Sequence, residues 1–405
     1  MKIWLRLLLI GLAAIIGISG LSFWMVARSW RREFNDELRR LEQNGSPICA
    51  SQLAPPPVPD ENNAALLIAE AGLLLKGSEE DEEPDWDSLS KEEGLDLESL
   101  RAFVAKRKTA LEKLVGALNR PYCRFPLDYS KGLLAEVPHV STLMSFARAL
   151  NARTLLSLRA GDHAASLRDL RLTLRLSGCL AGEPLLVSQL VRYVIFDRAF
   201  EILKMDLLAL SPEEWKALAQ AFRAATFGGE FARSFEMERA SAIDLCRTYY
   251  FEGKQGEGAA KIPVGGWVLP LFAAKAGTYH LRVMERAIIL ARQPYPKARG
   301  GELALKRELE SDPRWYELLT RLLLPAILRA HGSEARAEAQ QEMAAAFCLI
   351  KADGRIPESL ELMDPRTGFP FLYARIDGGF ELRSPGPGQK TNDETDRIVL
   401  KTRGK

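Results

Sequence analysis

The chain is 405 residues long, 47% hydrophobic and 27% charged, the balance of a folded globular protein rather than a disordered one. A formal net charge of +2 gives no global pull toward nucleic acid. Five cysteines (Cys49, Cys123, Cys179, Cys246, Cys348), odd in number and lacking a CxxC pair, argue against a disulfide framework or a structural zinc site.

Residues 7–27 carry no charge and as a helix extend about 30 Å, enough to cross a bilayer. Trp4 and Trp24 bracket the run, where amphipathic aromatics favour the membrane interface. A cleaved signal peptide is the alternative, with Lys2 and Arg6 as its basic leader and Gly17-Ile18-Ser19 as a small-residue cleavage point. The apolar run continues past that point through Leu21 and Val26, and no Ala-x-Ala occurs, so an uncleaved single-pass anchor is the reading adopted. Arg28, Arg31, Arg32, Arg39 and Arg40 follow the run and count toward a cytoplasmic body under the positive-inside rule.

The charged helix after the span is predicted to reach about residue 41. Pro55-Pro56-Pro57 and Pro59 then mark an extended spacer. Asp60-Glu61-Asn62-Asn63 precedes a predicted helix over 64–75, and the acidic block 79–83 reads as a solvated loop. Apolar periodicity predicts helices over 100–118, 140–158, 163–181, 184–205 and 212–225, the last with a Ser211–Glu214 capping box and Pro212 at its first position. Residues 152–176 resemble a single tetratricopeptide hairpin, without the aromatic and proline positions or a second copy. Further helices are expected over 231–251 and 280–293, with a glycine-bearing connector at 253–263 between them. Another runs from 311 to about 330, ends at His331-Gly332, and is followed by a long helix from Ser333 to about 352.

No HExxH, Walker glycine loop, GxSxG or GxGxxG is present, so the chain is read as non-enzymatic. His139, His163, His280 and His331 each fall near a helix start or end, where capping or surface roles are the default. Arg168, Arg171 and Arg175 line one side of a helix whose other side is Leu167, Leu170 and Leu174, a solvated amphipathic face. No aromatic interleaving supports nucleic-acid binding.

The last sixty or so residues carry the most local signal. Asp353-Gly354-Arg355-Ile356-Pro357 leaves the long helix, Asp364-Pro365 with Gly368 makes a tight turn, and strands follow around Phe371-Leu372-Tyr373, Gly379-Phe380-Glu381-Leu382-Arg383-Ser384 and Ile398-Val399-Leu400. Ile356, Leu360, Phe371, Tyr373, Phe380 and Leu382 are placed to cover the preceding helix with a small antiparallel sheet. This order of helix, proline turn, Asp-Pro hairpin, Gly-x-Phe-x-Leu-x-Ser strand and polar loop resembles the C-terminal half of the major pseudopilin of type II secretion. That resemblance implies an extracytoplasmic tail and a calcium loop, carried over by position to Asn392, Asp393 and Asp396, with backbone carbonyls of Leu382 or Ser384 completing it. A plain polar hairpin loop is the alternative. The chain departs from a pseudopilin in lacking the prepilin cleavage site and in the long body between span and tail. As a whole, with Pro59-Asp60-Glu61-Asn62-Asn63-Ala64-Ala65 near the anchor, it resembles membrane-anchored helical proteins of planctomycete and verrucomicrobial type.

The expected fold class is therefore mainly α: a transmembrane anchor helix with its extension (1–44), a proline-rich spacer (45–60), an all-α bundle or solenoid-like body (61–330) and a small α+β pseudopilin-like module (331–405). The expected function is that of a non-catalytic envelope protein, single-pass in the inner membrane with a periplasmic body. It would touch the lipid bilayer and other envelope proteins but no nucleic acid, possible calcium being its one cofactor, and act as a scaffold or interaction protein associated with type II secretion or pilus-like systems. The alternative is a hydrolase-like enzyme whose site is assembled within the helical body.

Overall fold

The computed structural model describes residues 2–75, 97–247, 269–311, 314–386 and 397–402. Among them are twelve α-helices and one three-stranded antiparallel sheet at the C-terminal end, a mainly helical fold. Helix α1 (Lys2–Gln43) continues without a break from the apolar run into the charged stretch. Its second half is buried: Phe34, Leu38 and Leu41 pack with Ile243, Ala274 and Leu281. The Phe34 ring lies on Gly277, where a Cβ would stand 2.7 Å from the ring, so the glycine is what lets these two helices approach. Among the described residues no helix is long and apolar enough to cross a membrane. The predicted span, 7–27, begins where α1 has no described side chains.

Helices α2 (Ala64–Leu73), α3 (Leu97–Lys106) and α4 (Lys108–Ala117) follow. Asn63 fixes the start of α2 by accepting the Ala65 amide while exchanging two 2.8 Å bonds with the backbone of Arg124. The single helix predicted over 100–118 is two, because Arg107 turns back to donate to the Phe103 carbonyl at 3.0 Å and interrupts the spiral.

Helices α5 (Pro138–Arg159), α6 (His163–Gly178), α7 (Leu186–Lys204) and α8 (Pro212–Ala224) form the main core. The α5–α6 hairpin turns at Gly161 and is clamped by Arg153, which donates twice at 2.7 Å to the buried carboxylate of Asp169. The capping box at the head of α8 forms as predicted, Ser211 and Glu214 bonding each other's backbone amides.

Helices α9 (Glu230–Leu245), α10 (Leu269–Ala291), α11 (Tyr295–Glu310) and α12 (Leu318–Asp353) build a second apolar cluster around Phe231, Phe235, Met284, Leu305 and Leu324. Two expectations are corrected here. Residues 295–310 form a helix that periodicity did not reveal, its Pro296 tolerated in the first turn. His331-Gly332 does not end a helix; α12 runs through it, and a Cβ on Gly332 would stand 3.2 Å from the Tyr295 hydroxyl.

Helix α12 stops at Gly354, whose φ of +63° is the left-handed cap that glycine adopts freely. The tail then forms β1 (Leu372–Ile376), β2 (Gly379–Ser384) and β3 (Ile398–Lys401) in the order β1-β2-β3. Asp377-Gly378 is the tight hairpin turn between β1 and β2, with Gly378 at φ +72°. Phe371, Phe380 and Leu382 are buried, and Ile356, Leu360 and Tyr373 half-buried, in the same core as α5 to α8, as the covering role predicted. Phe380 meets Phe347 of α12 with ring centres 5.4 Å apart.

Candidate functional site

Three of the four histidines are buried, against the expectation of capping or surface roles. His163 is the exception, at the start of α6, accepting the Ala209 amide at 3.3 Å. His280 shares 3.1 Å with the Thr320 hydroxyl, and burial pushes it down to about 4, so it is neutral at pH 7. His139 contacts Glu183 at 3.0 Å and stacks on Phe125, beside a cavity of about 500 Å3 between α2 and α5 whose described lining is rich in Ile68, Leu73 and Leu127. The Ser188 hydroxyl also donates to Glu183 at 2.6 Å. The His139 and His331 sites are separate cavities, so no composite of two histidines forms there.

The more polar cavity lies among the loop before α9, the start of α11 and the middle of α12, with a volume of about 410 Å3. Its described lining includes Gly228, Arg233, Arg292, Tyr295, His331, Glu334 and Glu338, with no serine, threonine or cysteine. His331 is 3% exposed, and its Nδ1 lies 2.6 Å from Glu302 Oε1 of α11. Its ring stacks on Phe231 and meets the edge of Tyr295. Glu302 is buried and outside the described lining, of which His331 is part. A carboxylate at Nδ1 favours a proton on that nitrogen.

Glu334 and Glu338 stand three and seven positions beyond His331, on the same helical face. Burial, then the nearby Glu338 and Glu230, push Glu334 up to about 8, although it accepts the Gly228 amide and senses Arg192. Burial also raises Glu338. Gly228 and Gly229, at φ +105° and +92°, allow the loop to come this close; a Cβ on Gly228 would stand 3.0 Å from Glu338 Oε1. The stripe His331, Glu334, Glu338 was the one sequence signal for this site, and it was missed because His331-Gly332 reads as punctuation.

The predicted calcium residues Asn392, Asp393 and Asp396 lie outside the described residues, as do the acidic block 79–83 and the connector 253–263. Among the described residues no group of three acidic, histidine or cysteine side chains is arranged to hold a metal. Ser384, whose backbone carbonyl was one expected donor to the calcium loop, donates its hydroxyl to Asp364 Oδ2 at 2.8 Å. The five cysteines are unbridged, with Cys179 and Cys348 buried among apolar neighbours as expected and Cys246 half-buried. Arg168, Arg171 and Arg175 are exposed, the solvated face that was predicted.

No family model, no curated protein and no solved structure matches the chain. The pseudopilin-like reading of the tail is neither strengthened nor weakened by them.

Proposed function

We propose that the chain is a single-pass, membrane-anchored envelope protein whose helical body has a binding or scaffolding role rather than a catalytic one. The observation that carries this reading is the contrast within α1. Ile15, Ile18, Leu21, Trp24, Met25 and Val26 are all exposed, between 45% and 67%, whereas Ala27, Phe34, Leu38 and Leu41 of the same helix are buried against the body. Apolar side chains left this bare along a helix need a non-aqueous solvent. Arg28 lies over the Trp24 ring at 5.1 Å, an aromatic and a cation together at the end of the exposed run, which suits a headgroup layer.

The inner membrane, a periplasmic body and an association with type II secretion or pilus-like systems belong to the same proposal and rest on the tail's resemblance. In the test, the full chain is expressed in a Gram-negative host and its membranes are washed with alkaline carbonate. The chain should stay with the lipid, and a variant lacking residues 2–27 should be released; release of the full chain would refute the anchor. A reporter active only in the periplasm, fused after Lys405, should be active.

A second reading, an enzyme with its site inside the body, is favoured by the Glu302–His331 contact beside the polar cavity. It ranks lower because the described lining offers no serine, threonine or cysteine nucleophile.

A further inference from the structure

A groove of about 820 Å3 lies against α1 just beyond its exposed apolar run, with Arg282 of α10 on its other side. Its four arginines are of two kinds. Arg40 is paired with Glu37 and Glu285, and Arg282 with Glu33 and Glu37. Arg28 and Arg32 are exposed and form no ion pair among the described residues, Arg28 lying over the Trp24 ring instead. Trp24, Arg28 and Arg32 are four residues apart, so they follow one side of the helix into the same groove. Like charges at this spacing repel, and an anion between them turns the repulsion into two attractions. A phosphate diester suits the place, because its oxygens match the planar fork of a guanidinium, and the Ser29 hydroxyl in the same lining is a further donor.

We propose that this groove holds the headgroup of an anionic phospholipid, with its phosphate between Arg28 and Arg32 and its acyl chains along the exposed apolar side chains of α1. The inference rests on the anchored reading of α1 and adds the class of lipid. Position selects a lipid over a free anion: Leu21, Trp24, Met25 and Val26 are exposed and lead directly to the arginines, and Trp24 and Met25 form the apolar end of the lining. Charge selects an anionic lipid over a zwitterionic one. The ammonium of a zwitterionic headgroup would need an acid, and the three acids of the described lining are occupied. Glu33 accepts from Lys275 and Arg282, Glu37 from Arg40, and Asp36 from Arg39.

In the test, phosphatidylglycerol and phosphatidylcholine with identical acyl chains are offered in equal amounts to the full chain in mild detergent. Native mass spectrometry then counts the lipids bound. Phosphatidylglycerol should be bound at an occupancy at least about threefold higher, since each arginine near an anionic headgroup is worth up to about fivefold. Arg28→Gln/Arg32→Gln should bring the ratio close to one. Arg168→Gln/Arg171→Gln, which removes the same charge from the exposed face of α6, should leave it unchanged. Equal occupancy in the native chain, or a ratio that both double variants lower alike, overturns the proposal. So does displacement of the lipid by excess inorganic phosphate at constant ionic strength, which would mark a free-anion site. The membranes from which the chain is purified are also extracted with carbonate. A chain released there loses the anchor and the headgroup site together; a chain retained, with equal occupancies, loses the headgroup site alone. The ratio is read first on the native chain, so a variant that does not fold leaves the test intact.

Discussion

At the tail turn, Asp364 is completely buried, and each of its oxygens is used: Oδ1 accepts the Arg366 amide at 2.9 Å and Oδ2 accepts the Ser384 hydroxyl, which in turn accepts from Arg366 at 3.2 Å. In the middle of α12, Glu334 is almost as deeply buried, at 5% exposure, yet is pushed up to about 8 by that burial and by the neighbouring Glu338 and Glu230. The residue types are alike and the outcomes opposite. A buried polar network whose members satisfy one another fixes a structure, here joining the 364–368 turn to β2. One left incomplete beside a cavity keeps a carboxyl group whose charged form the fold penalises.

The largest effect should come from breaking the complete network. Asp364→Ala removes the acceptor of a buried hydroxyl and of a buried amide, and should cost about 3 kcal/mol, read as a lower urea midpoint. The same substitution at Glu334 should cost far less or nothing, since the carboxylate there is a burden. Equal losses at the two positions would erase the distinction between the networks.

The next effect concerns pH. The folded pKa of Glu334, about 8, lies above its ordinary 4.5, so the folded chain binds the proton more tightly than the unfolded one. The stability from this group is complete below pH 4.5 and is lost as pH rises through 8, at up to about 1.4 kcal/mol per pH unit. Denaturant midpoints measured from pH 5 to 8 should fall for the native chain and fall less steeply for Glu334→Gln, which should be the more stable of the two at pH 8. Parallel slopes would show that Glu334 titrates normally and that the incomplete network is not under load.

The two networks also differ in how far they could be read from the sequence, and the reason is physical. Asp364-Pro365 and Gly368 act through a turn a few residues long, so the tail's sheet and its covering of the preceding helix were legible. The helix heads at Asn63 and Ser211 were equally local. The cavity draws Gly228 from a loop, Tyr295 from α11 and four residues from α12, and periodicity cannot say which distant elements will meet. Glu302 was doubly hidden, because the Pro-Tyr-Pro and Gly-Gly of 294–301 obscured the helix that carries it. Burial of three histidines escaped for the same reason: Thr320, Glu183 and Glu302, their partners, are all remote in sequence.

Gly332 tests the smallest of these differences, whether α12 passes through the cavity wall relaxed or strained. Alanine is better than glycine in a helix interior by about 1 kcal/mol. Against that, the new methyl would stand 3.2 Å from the Tyr295 hydroxyl, which must yield by a few tenths of an ångström. Tyr295 is half-exposed at the rim and can move. Gly332→Ala should therefore change stability by less than about 1 kcal/mol in either direction. Its effect should appear instead at the cavity wall, as a change in the near-ultraviolet signal of the Tyr295 ring, now 5.2 Å from that of His331. A loss of more than about 2 kcal/mol would mean that the Tyr295 contact is rigid, and would make the wall part of the core rather than part of the site.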